Sequence, residues 1–192
     1  MANDHENAAA KHRVKSFFQT EIPDYLMTDI DKLSKIRPAG PKGLGGCTIP
    51  QALMLFAILD YFGFLIRDDS ANPSPKDTTG GFKYMLCQSN YLPKEYAETF
   101  ERIVKLFRHG YVHQVFPKAA GIAKAGPHKA LLSRADQTLT LNVDVLTRDV
   151  LSALARIKDE ILQDRNETLV LRINGRLNIL NKADYDILHS CT

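Results

Sequence analysis

Apolar residues recur along most of the chain with the spacing of helices. Between Lys11 and Arg37, Val14, Phe17, Phe18, Ile22, Tyr25, Leu26, Ile30, Leu33 and Ile36 keep one helical phase. Pro23 removes a donor and clashes with the preceding turn, and because the phase survives across it, a kink is expected rather than a break. Ala52 to Leu65 is apolar on nearly every side, which predicts a helix at the centre of a bundle. Just upstream, Thr48, Pro50 and Gln51 suit an N-cap, a first turn and a capping box. Gly81 to Ser89 reads as a short helix. A longer one starts at Leu92-Pro93 and carries Tyr96, Phe100, Ile103, Val104 and Phe107 on one face. Leu146, Val150, Leu154, Ile157 and Ile161 form a further stripe, capped by Asn142 or Asp144 and ending near Arg165.

Alternation with period two appears twice. Ala130–Leu132 and Thr138–Val143 flank a polar turn at Ala135–Gln137 and predict a small hairpin. Val170 to Leu180 alternates about Asn174-Gly175, the dipeptide of a two-residue turn, and predicts a second. Pro38 to Cys47 and Asp68 to Gly80 are rich in glycine, proline and small polar residues and read as loops, Ala119 to Pro127 as a lid or linker, and Asp184 to His189 as a last helical turn. The expected fold is mainly α, a helical bundle of about five helices with one or two small β-hairpins in the C-terminal third. Met1 to Ala10 is polar and expected to fray, leaving residues 11–192 as a single domain, the default for a chain of 192 residues.

Composition narrows the class. A hydrophobic fraction of 44% belongs to a folded globular chain. The longest apolar run, Ala52 to Ile66, is interrupted by Asp60 and Gly63, and the acidic start around Asp4 and Glu6 is unlike a secretory signal, so no membrane partner and a cytoplasmic location are expected. Cys47, Cys87 and Cys191 are far apart and are read as reduced thiols. The loop at 38–47 lacks the order of a phosphate cradle and reads as a connector. Asp60 is the one charge in its helix and should pair with an arginine or tyrosine at the core edge.

The net charge of +3 is unevenly spread: Arg102 to Ala135 holds seven cations and no carboxylate. Within that stretch lie Arg108, His109, Gly110, Tyr111, Val112 and His113, where the apolar helix reaches a glycine. On an unbroken helix Arg108 and His113 would point about 140° apart, and a turn at Gly110 lets them approach. An imidazole that titrates near neutral pH suits proton transfer, and a guanidinium fork suits a phosphate. A cation at a helix end is also a common structural cap. His109 and His113 are four apart, as zinc ligands on a helix are, with His128 as a third. Against zinc stand the surrounding cations and Gly110, where the zincin motif needs a glutamate.

This hexapeptide resembles the motif of the HEPN superfamily of compact α-helical domains: an arginine, a polar residue, three residues and a histidine. Arg108, His109 and His113 take those places, His109 standing where asparagine or aspartate is more usual. The resemblance implies a bundle that pairs with a second copy of the chain. It implies either a metal-independent endoribonuclease needing no cofactor or a non-catalytic module for dimerisation and for binding a nucleotide or partner. On the first reading His113 and Arg108 are catalytic and His109 assists, while Lys105, Tyr111, Lys118 and His128 bind RNA. RNA, a second copy and a protein antitoxin are the partners expected.

Overall fold

The computed structural model describes residues 2–37, 46–68, 78–108, 120–124, 129, 131–133 and 139–190. Helix α1 (Ala2–Ser16) includes residues 2–10 of the segment expected to fray; a wide π-helical segment at Phe17–Met27 and α2 (Thr28–Lys35) follow. Around Pro23 the helix widens. Hydrogen bonds of the wide turn reach five residues back, which relieves the proline's clash with the turn before it. The Thr28 hydroxyl donates to the Pro23 carbonyl at 3.0 Å.

Helix α3 (Thr48–Ile66) lies at the centre, against α2, the helix α4 (Thr78–Lys83) with its continuation Tyr84–Gln88, and the two C-terminal helices. Leu55, Leu59, Phe62 and Leu65 are fully buried in it. By length and composition it is the one described helix apolar enough to cross a membrane, and 61% of that stretch is covered by the rest of the fold. The expected capping box does not form as drawn. Cys47, at a left-handed φ of 52°, holds the N-cap position, and the Gln51 amide donates instead to Thr147 Oγ1 at 2.8 Å.

The bundle continues through α5 (Glu95–Arg102), extended by Ile103–Arg108, to α6 (Val143–Leu162) and α7 (Glu167–Ser190). The stripe on α6 is buried as its spacing requires. Asn142 stands at its N-cap. Between α5 and α6 lies a three-stranded sheet, β1 (Ala120–Ala123), β2 (Leu131–Ser133) and β3 (Leu139–Asn142), in the order β1-β3-β2. β2 runs antiparallel to β3 with Leu131 opposite Leu141, so the first hairpin is present. β1 adds to it in parallel, Ala120 opposite Leu139, from a segment expected to be a lid or linker. The expected loops at 38–45 and 69–77 and the turn at 135–137 lie outside the described residues.

The second hairpin is overturned: Val170 to Leu180 is the middle of α7. Leu169, Val170, Ile173 and Leu177 fall on one helical face and are all buried, and the Asn166 side chain accepts the Leu169 N–H at 3.0 Å as an N-cap. Gly175 costs a helix about 1 kcal/mol, whereas burying each of four such side chains contributes roughly 1.5–3 kcal/mol. Packing therefore outweighs the turn preference of Asn174-Gly175.

A glycine pair sets how closely α3 meets α4. A Cβ added at Gly63 would lie 1.9 Å from the Gly81 carbonyl oxygen, and one at Gly81 would lie 2.2 Å from that of Asp60. A Cβ at Gly175 meets nothing within 4 Å. Gly63→Ala is therefore expected to lower unfolding stability by about 3 kcal/mol, since backbone cannot step aside, and Gly175→Ala to raise it by roughly 0.5–1 kcal/mol. Urea titrations of both variants check the pair; a loss of stability on Gly175→Ala would restore the hairpin turn.

Candidate functional site

Arg108, the first residue of the hexapeptide singled out in the sequence, is the last described residue of the Ile103–Arg108 segment, and its side chain is fixed from three sides. Ile103, Val104 and Phe107 are buried and anchor the segment to the core. Asp60, one turn before Gly63 on α3, accepts from Arg108 Nη2 at 2.5 Å through Oδ2, and through Oδ1 it accepts the Phe82 N–H at 2.9 Å. The guanidinium carbon lies 5.4 Å from the centroid of the Phe82 ring. Both charged side chains are largely covered, Arg108 16% and Asp60 19% exposed. Asp60 thus has the arginine partner that its solitary charge called for. One carboxylate holds the end of the Arg108 segment and the start of the Phe82 helix together, with a cation–π contact on the other side.

Of the other sequence-derived candidates, only Lys105 is among the described residues. His109, Tyr111, His113, Lys118 and His128 lie outside the described residues. Lys105 is on the exposed face of its helix, 3.4 Å from Glu101. Lys124, also in the basic stretch, turns inward: its Nζ donates to the carbonyls of Leu33 at 2.7 Å and Ile36 at 2.5 Å and so closes the C-terminus of α2. Burial, and then the nearby Arg37 charge, lower its pKa. Arg108, Lys105 and Lys124 each have a partner within the chain, so the stretch is less of an open cationic surface than its composition suggests. Among the described residues no group of three or more His, Cys, Asp or Glu is placed to hold a metal ion.

Two polar arrangements carried no motif. The buried Tyr96 hydroxyl donates to Asp149 Oδ2 at 2.8 Å, and Arg148 donates to the other carboxylate oxygen from Nε at 3.0 Å and Nη2 at 2.9 Å. Read from sequence, Tyr96 was one more apolar position; the only hint was a hydroxyl on a face with no water. Elsewhere a cleft of about 460 Å³ is lined by Tyr84, Tyr91, Arg156, Glu160 and Arg172. Its groups serve one another. Tyr91 donates to Glu160 Oε2 at 3.0 Å under the Arg156 guanidinium, and Arg172 reaches the Ile66 carbonyl at 2.8 Å and Asp68 at 2.6 Å. Burial and the Glu160 carboxylate push the Tyr91 phenol well up, so it stays protonated at neutral pH.

The fold class is thus a mainly α domain with a small mixed sheet. No family model, no curated protein and no solved structure matches the chain.

Two outcomes follow from these contacts. Asp60→Asn removes the charge opposite Arg108 and keeps an acceptor for Phe82, and is expected to cost about 1–2 kcal/mol; Asp60→Ala, losing both, about 3 kcal/mol. Equal losses in denaturant titrations would discard the double role. Burial first, and then Asp149, raise the Tyr96 phenol above its ordinary value of 10.0. The unfolded chain releases that proton above pH 10 while the folded chain keeps it, so stability falls as pH rises from 10. Tyr96→Phe should flatten that alkaline slope in melting curves taken at stepped pH.

Proposed function

We propose that the chain is a HEPN-like, metal-independent endoribonuclease. The observation that carries this is the placement of Arg108. A guanidinium immediately before His109 and His113 is held by the Asp60 carboxylate and the Phe82 ring on an anchored helix end, the kind of support that fixes a phosphate-binding arginine within a fraction of an ångström. In this reading His113 takes the proton of a ribose 2′-hydroxyl. The oxygen attacks the adjacent phosphorus, the 5′-oxygen leaves with a proton, and a 2′,3′-cyclic phosphate and a 5′-hydroxyl result. Arg108 stabilises the charge that builds on the phosphate, and His109 orients the phosphate or passes the proton. The 2′-hydroxyl confines the reaction to RNA. A second copy of the chain supplies a facing motif, and a protein antitoxin would restrain it.

One observation favours a second reading. The Arg108 charge is already balanced by Asp60, which suits a non-catalytic HEPN-like module that pairs with another copy or binds a nucleotide or partner, its arginine serving the fold.

The first reading expects the purified protein to cut single-stranded RNA in EDTA and leave cyclic phosphate ends, with His113→Ala abolishing cleavage while the melting temperature is unchanged. RNA left intact across pH 5–9, with or without added metal, supports the binding module, and cleavage that requires metal restores the zinc alternative.

A further inference from the structure

An apolar groove runs between the Phe17–Met27 segment and the outer face of α3. Phe17, Ile22, Leu26, Met54, Ile58 and Phe62 form its floor and walls, enclosing about 360 Å³. On an α-helical wheel Met54, Ile58 and Tyr61 point about 140–180° away from Gly63, so the groove opens on the side of α3 opposite the α4 crossing. It is separate from the Arg108 site.

Two features give the groove a chemical preference. Tyr25, on its edge, is 73% exposed and is the most exposed large apolar side chain among the described residues. Aromatic side chains left in water beside an apolar cleft are favoured anchors for a partner. The charge at the groove is of one sign: Glu21 lines it, Asp24 follows on the same segment, and the described lining residues include no Lys, Arg or His. Tyr61 also lines the groove, and its phenol is raised by burial first and then by the negative charges of Glu21 and Asp184. Phosphate is repelled by such a rim and cations are attracted.

Its length sets the shape of the occupant. From Met54 to Phe62 the α3 wall spans about 12 Å, two helical turns, the reach of apolar side chains at positions i, i+3, i+4 and i+7. We propose that this groove docks an amphipathic helix of a partner protein, apolar on the face that enters and carrying lysine or arginine beside it to meet Glu21.

The test uses the full chain and a panel of fluorescently labelled, stapled helical peptides. All carry leucine, isoleucine, phenylalanine or methionine at the four anchor positions; one set has lysine flanks, one has glutamate flanks, and one has the anchors scrambled. Anisotropy titrations are expected to show saturable binding of lysine-flanked peptides, at least about tenfold tighter than the other sets. Tyr25→Ala and Glu21→Lys, both at exposed positions, should each weaken it by about tenfold or more, the second shifting preference toward glutamate flanks. No binding by any lysine-flanked peptide up to about 1 mM overturns the proposal, as does binding indifferent to flank charge or to both substitutions. Sedimentation showing a dimer that Tyr25→Ala dissociates would assign the groove to a second copy of this chain and overturn it equally.

Discussion

The bundle depends on two stretches of backbone meeting with no side chain between them. Where α3 crosses α4, Gly63 faces Gly81 closely enough that a single methyl on either would strike a carbonyl. That approach brings the Asp60 carboxylate within reach of the Phe82 amide, and Phe82 is in turn the ring beneath Arg108. Spread the crossing by one methyl and the Phe82 bond is lost. Arg108 then keeps its charge in a site 16% exposed without the geometry that makes burial tolerable. The candidate site is therefore a consequence of how the core packs.

The same logic applies to a second cation of the basic stretch, Lys124. A run of cations without carboxylates suggests a surface for polyanions, and in an unfolded chain it would be one. Folding draws Arg108 to α3 and Lys124 to the end of α2, distributing the charge among interior tasks. Glu21 sits elsewhere, lining an apolar groove on the opposite side of α3.

What the sequence disclosed depended on whether burial and local pattern agreed. Leu146, Val150, Leu154, Ile157 and Ile161 repeat at helical spacing and are buried at that spacing, so α6 was legible. Residues 170–180 satisfy a two-residue and a helical period at once, and the decision lay with the core that Ile173 and Leu177 enter, which no local window contains. Ala-Gly-Ile-Ala at 120–123 has little strand preference of its own. It is a strand because β3, nearly twenty residues on, offers an edge, and because Gly121 lets Thr140 lie 3.3 Å from where a Cβ would be. Asp60 announced its need for a counter-charge, but that the partner is Arg108, 48 residues away, is information held only by the fold.

Helices α1 and α7 lie side by side, clasped by Lys11 with Glu167 and Lys15 with Asp164, each at 2.7 Å, although the chain runs through every other element between them. A ribosome adding about 5–20 residues per second needs roughly 8–30 s to travel from one to the other. Throughout that interval α1, whose Val14 the finished domain shields completely, lacks the α7 helix against which it packs. Helix α1 is mostly polar on its own, and only the late arrival of α7 turns its few apolar side chains into interior ones, so this seam closes after the rest of the bundle has been made.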